Sequence, residues 1–125
     1  MNKKIILCFD LDNVICRTKK NYYKNSVPIK QSVNFVNYLY ANNYYIKIFT
    51  SRFMGRNSDN ALKAKRQGFQ FTKKQLKKWK VNYHELILGK PSFDIFIDDK
   101  MLGFKKNWIV QLKKKLNLKN DTFLN

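Results

Sequence analysis

The sequence predicts an α/β fold built on a doubly wound parallel sheet, and three observations lead there. Short apolar runs rich in β-branched and aromatic residues recur along the chain, stretches of helical period separate them, and carboxylate, hydroxyl and lysine residues follow their ends. In such a sheet the ligand sits beyond the carboxyl ends of the strands.

The first run, Ile5-Ile6-Leu7-Cys8-Phe9, reads as a buried strand that delivers Asp10 and Asp12 at its carboxyl end. Ile29, Val33, Val36 and Tyr40 then repeat at helical spacing between Pro28 and Asn42, which predicts a crossover helix over about Lys30 to Ala41. The second run, Tyr45-Ile46-Lys47-Ile48-Phe49, ends in Thr50-Ser51-Arg52. A loop is expected from Phe53 to Asn60, followed by a short helix ending near Gly68. Thr72 with Gln75 makes a capping box, and Phe71 with Leu76 a hydrophobic staple, so a further helix is expected from Thr72 to about Lys80. A short strand at Leu86 to Leu88 leads into Gly89-Lys90-Pro91. The run Asp94-Ile95-Phe96-Ile97 reads as another buried strand, closed by Asp98 and Asp99. Phe104, Trp108, Leu112 and Leu116 share one face of a closing helix whose lysines lie in water, and Asn120 to Asn125 are expected to fray.

A chain of 125 residues is expected to form one domain, residues 1–125. No apolar run is long enough to span a bilayer and no leader pattern is evident, so the cytoplasm is the default location. Cys8, in the first strand, and Cys16 read as reduced thiols without metal-ligand spacing. The net charge of +18 invites a nucleic-acid reading. However, 22 of the 26 basic residues are Lys, and Asn is abundant too, so A- and T-rich codons account for much of the excess. Compositional bias is therefore preferred here to a dedicated nucleic-acid face.

Asp10, Asp12, Asp98 and Asp99 are half of the eight acidic residues. Four carboxyl groups brought together need a counter-charge, and Mg²⁺, which prefers oxygen ligands, would supply it. His84, the only histidine, precedes a strand and is expected to pack rather than react.

The order Phe9-Asp10-Leu11-Asp12-Asn13, Phe49-Thr50-Ser51-Arg52, Lys90 and Ile97-Asp98-Asp99 resembles the haloacid dehalogenase superfamily of phosphotransferases. Leu88-Gly89-Lys90-Pro91-Ser92 leading into Asp94 to Lys100 is similar to a branch of phosphatases associated with capsule polysaccharide biosynthesis. The resemblance implies a Rossmann-like core, and neither gap between motifs holds a cap domain. It also implies Asp10 as nucleophile, Asp12 as acid and base, Thr50 and Lys90 on the phosphoryl group, and Mg²⁺ on Asp10, the main-chain carbonyl of Asp12, and one of Asp98 and Asp99. Ser51 and Arg52 are further candidates for substrate contact. Val14 departs from the pattern, which often has a threonine there whose hydroxyl supports the loop.

The implied function is Mg²⁺-dependent hydrolysis of a small phosphorylated metabolite, such as a sugar or polyol phosphate used for surface polysaccharide. The alternatives are a phosphatase of nucleic-acid ends and a catalytically silent binding protein. A capless site leaves a small substrate few contacts, so a homo-oligomer is expected, with the Phe53 to Asn60 loop contributing to specificity. No membrane partner is expected.

Overall fold

The computed structural model describes residues 4–119, so the expected fraying of Asn120 to Asn125 lies outside the described residues. The chain divides into two compact units, Met1–Ser92 and Phe93–Asn125.

The first unit is an α/β sandwich half. Strand β1 (Ile6–Phe9) is followed by two short strands, β2 (Cys16–Arg17) and β3 (Val27–Pro28), then helix α1 (Lys30–Ala41), strand β4 (Tyr45–Thr50), helix α2 (Ala61–Lys78) and strand β5 (Glu85–Leu88). The strands β1, β4 and β5 form a parallel sheet in that order, with Leu7 opposite Ile46, Phe9 opposite Ile48, and Thr50 opposite Leu88. Both crossovers run the same way across the sheet, so right-handed connections put α1 and α2 on one face. That face carries Phe9, Ile46 and Ile48, all buried, against Val33, Phe35, Val36 and Leu39 of α1 and Leu76 of α2. Each of these large side chains contributes about 1.5–3 kcal/mol by leaving water. The other face shows Ile6 and Cys8, both exposed. Cys8 therefore differs from the buried thiol expected from the sequence, because it points away from the helices.

Helix α1 has the limits its periodicity predicts. Helix α2 does not: one helix replaces the two expected, capped by the Asn60 side chain, which accepts from the Lys63 N–H at 3.1 Å. Gly68 is no stop signal. It lies buried in mid-helix, where an added Cβ would run into the ring of Phe53. Phe53 itself takes a left-handed backbone, φ 67°, which turns its ring toward Tyr23 at 4.9 Å and Phe71 at 6.1 Å between centroids. At the opening end of β4 and β5, His84 stacks between Tyr40 and Tyr45, and its Nδ1 accepts the Ile46 N–H at 2.9 Å. The packing role expected for this histidine is what the structure gives it.

The second unit holds helix α3 (Trp108–Lys115), with Trp108, Ile109 and Leu112 buried. Phe104, expected on its face, precedes the helix and is exposed. The strand expected over Asp94 to Ile97 does not form among the described residues, and Ile95 and Ile97 are 79% and 88% exposed. The cause is local. The chain bends at Asp94, and the rings of Phe93 and Phe96 meet edge to face at 4.9 Å, a contact that an extended chain cannot make because residues three apart point to opposite faces. An apolar run becomes a strand only where a neighbouring edge takes up its hydrogen bonds. Among the described residues, no helix is long and apolar enough to cross a membrane.

Candidate functional site

Three parallel strands end side by side in the first unit, and each releases its polar residues at the same edge. β1 gives Asp10 and Asp12, β4 gives Thr50, Ser51 and Arg52, and β5 gives Gly89 and Lys90. The ladder continues one step further, because the Lys90 N–H donates to the Thr50 carbonyl at 3.2 Å. Gly89 has φ +106°, a conformation that glycine adopts without strain, and a Cβ there would press on Ala61 at 3.2 Å.

Asp10 and Lys90 form the first pair. Lys90 Nζ lies 3.6 Å from Asp10 Oδ2, with the lysine side chain 9% exposed and the aspartate 41%. Asp10 Oδ1 accepts the N–H of Leu11 at 2.8 Å. Burial pushes the Asp10 carboxyl above its ordinary range, and the opposing pull of Lys90 does not cancel it. Thr50 is buried beside them, and its hydroxyl oxygen accepts the Arg52 N–H at 3.1 Å. Ser51 is tied differently: its hydroxyl donates to the Pro91 carbonyl at 3.4 Å, linking the two strand-end loops.

Asp12 and Arg52 form the second pair. Arg52, a candidate for substrate contact in the sequence, is 1% exposed. Its Nε donates to both Asp12 oxygens at 3.1 and 3.0 Å, and its Nη2 to Oδ1 at 2.9 Å. The remaining guanidinium hydrogens reach Gln75 Oε1 at 2.6 Å, Thr72 Oγ1 at 3.5 Å and Ser26 Oγ at 3.3 Å, while the Tyr23 ring covers its face at 4.9 Å. A buried guanidinium with this many acceptors is held in one orientation.

The sequence reading missed this surrounding layer. Thr72 and Gln75, read as a capping box, are mid-helix partners of Arg52, and Gln75 Nε2 also donates to the Tyr23 carbonyl at 2.7 Å. Thr18 supplies the hydroxyl that Val14 lacks: its Oγ1 hydrogen-bonds to Asp12 Oδ1 and pairs with Ser26 Oγ at 2.7 Å. The short antiparallel pair β2–β3 brings these residues in, and nothing in the local pattern announces a two-residue strand. Cys16 Sγ lies 3.5 Å from Asp12 Oδ1, and burial pushes its thiol up to about 11, so it acts as a weak donor and not as a nucleophile.

In the expected specificity loop, Phe53 and Met54 are buried against Ala64, and only from Gly55 onward does the loop open to solvent. Arg56 there lies over the Phe53 and Tyr23 rings at 4.7 and 5.6 Å. Asp98 and Asp99 belong to the second unit, where both are exposed and the Asp98 carboxylate accepts the Lys100 N–H at 2.8 Å in a tight turn. Among the described residues, no group of three or more His, Cys, Asp and Glu side chains is arranged to hold a metal ion. What the first unit offers a cation is the half-exposed Asp10 carboxylate and main-chain oxygen. Such an all-oxygen set fits Mg²⁺, which keeps several waters and takes one or two carboxylates.

No family model and no curated protein matches the sequence. The fold is similar to the crystal structure of a structural-genomics target from Vibrio cholerae, with a TM-score of 0.73 and 24% identity over 90% of this chain and 98% of that one. The likeness concerns the fold: an α/β arrangement with a parallel three-stranded sheet and three helices.

Proposed function

We propose that this chain is a phosphomonoesterase with a haloacid-dehalogenase-like core and no cap, working through an aspartyl-phosphate. The observation that carries the reading is the Asp10–Lys90 pair at the carboxyl edge of a parallel sheet, a half-exposed carboxylate beside a buried ammonium, with the Lys90 main chain bonded to that of buried Thr50. A carboxylate presented with a fixed cation is suited to attack a phosphoryl group whose charge that cation offsets.

In the proposed reaction a carboxylate oxygen of Asp10 forms a bond to phosphorus as the ester O–P bond breaks in line with it. The departing alkoxide takes a proton from Asp12. Water then attacks the aspartyl-phosphate, Asp12 accepts its proton, and inorganic phosphate leaves with Asp10 restored. Thr50 and Lys90 stabilise the phosphoryl oxygens. Arg52 is a positioning residue: with Thr18 and Cys16 it occupies Asp12 Oδ1, while Oδ2 meets only Arg52 Nε and is the oxygen left for proton exchange. Mg²⁺ would be held by the Asp10 carboxylate and the Asp12 main-chain carbonyl, and it would supply positive charge to the phosphate.

The test is a screen of purified protein against phosphorylated metabolites, with sugar and polyol phosphates as one arm and phosphate-ended oligonucleotides as another. Phosphate release from a member of either arm, lost in Asp10→Asn, is the expected result. No release from any substrate with Mg²⁺ present would defeat the proposal. A basic surface on α2 favours the oligonucleotide arm as a second reading.

A further inference from the structure

The positive charge is not spread evenly over the first unit. α1 carries one basic residue, Lys30, and its other solvent-facing positions are Gln31, Asn34, Asn37, Tyr40 and Ala41. α2 carries no acidic residue and exposes Lys63, Lys65, Arg66, Lys73, Lys74, Lys77 and Lys78. At 3.6 residues per turn all of these but Lys65 fall within an arc of roughly 140° and extend over about 23 Å of helix. The arc lies opposite the buried line of Ala64, Gly68, Thr72 and Leu76. Compositional bias acts on both helices alike, so it does not explain lysine on one and asparagine on the other.

Helix stability does not explain the arc either. Lys77 and Lys78 sit in the last turn, where cations favour the helix dipole. Lys63 and Arg66 sit near the amino-terminal end, where cations oppose it, and no acid accompanies them in the first turn. Among the described residues none of the seven forms an ion pair. Cations kept where they destabilise their own helix point to an anion from outside. A membrane surface is a poor match, because a helix that lies in lipid needs an apolar face for it, and the apolar face of α2 is buried.

We infer that the outer face of α2 is a docking surface for the phosphate backbone of a nucleic-acid strand. Repeating phosphates match a repeating row of cations, and Gln67 and Gln70, exposed between them, are amide donors of the kind that contact phosphate and sugar. The inference stands without the phosphatase reading, since it concerns binding alone.

Fluorescence anisotropy with a labelled single-stranded oligonucleotide, the full chain and a series of salt concentrations tests it. Three proteins are compared: wild type, K63Q/R66Q/K74Q/K77Q, and a control of equal charge change, K19Q/K24Q/K30Q/K105Q. The wild type should bind, the α2 variant should lose at least about tenfold in affinity, and its salt slope should fall by about 3, while the control keeps its slope and stays within about twofold. A K63Q/R66Q double variant, expected to show about half the change in slope, covers the case in which four substitutions impair folding. Absent binding by wild type, equal loss in both quadruple variants, or α2-dependent binding to anionic vesicles or acidic peptides with none to the oligonucleotide would each overturn the assignment.

Discussion

The guanidinium of Arg52 grips the carboxylate of Asp12 edge-on, with Nε at 3.1 and 3.0 Å from the two oxygens and Nη2 at 2.9 Å from Oδ1, across forty positions of sequence. Removing one member of a buried ion pair leaves the other charge uncompensated, which costs more than the pair contributes. Arg52→Met should therefore lower stability by about 3 kcal/mol in urea unfolding, and Arg52→Lys by less, because it keeps charge but loses the fork. Unchanged midpoints in both variants would show that the pair does not hold the loop.

Asp10→Asn should abolish turnover, by about three orders of magnitude or more, while leaving the fold intact, since an amide of equal volume cannot attack phosphorus. The same variant makes a stability prediction. Burial raises the Asp10 pKa in the folded state above its ordinary 3.8, so the folded protein holds a proton that the unfolded chain has released. Stability thus declines as pH rises from 3.8 through the folded value, and the deficit persists above it. In chelator-treated buffer at neutral pH, Asp10→Asn should be the more stable protein, and the two stability curves should converge as the pH drops below 3.8. A less stable variant at neutral pH would contradict the sign.

Asp12→Asn should reduce turnover of an alkyl phosphate by about 10²–10⁴-fold and that of an activated aryl phosphate far less, because a good leaving group needs little protonation. Comparison of kcat on the two substrates decides it. Equal losses would remove Asp12 from the acid role.

Chelation should stop phosphate release, Mg²⁺ should restore it, and Ca²⁺ should not, since its larger and looser coordination misplaces the nucleophile. Activity that survives exhaustive metal removal would exclude the metal from the reaction.

Gly68→Ala separates helix propensity from packing. Alanine is the better helix former by about 1 kcal/mol, yet its methyl would enter the Phe53 ring. Overpacking wins in a filled core, so the variant should be destabilised by about 1–3 kcal/mol in thermal unfolding. Stabilisation instead would mean that the Phe53 ring gives way.

Three strands and the first crossover helix were legible because their signals are local: apolar runs for β1, β4 and β5, and a 3.6-residue period for α1. The position of Asp10, Asp12, Thr50 and Lys90 at or just past strand ends was legible because strand ends mark themselves. The errors share a cause, which is that one residue type serves two purposes. Gly68 reads as a breaker but is a close approach to Phe53, and Thr72 with Gln75 reads as a cap but serves Arg52. The Asp94 to Ile97 run has strand composition, yet the Phe93–Phe96 contact bends it. Thr18 and Ser26 reach Asp12 and Arg52 through pairing that no sequence window displays.

The polar network around Arg52 also has a meaning for the order in which the chain folds. Its contacts join residues separated by 40 positions to Asp12, 26 to Ser26 and 23 to Gln75. Each closes a long loop, and loop closure costs entropy before the contact returns anything. The helices can form from neighbours alone, but the acidic edge exists only after β1, β4 and α2 have docked. The acidic edge is thus a late acquisition in folding, and a chain stalled with its helices made would not yet have brought Asp12 and Arg52 together.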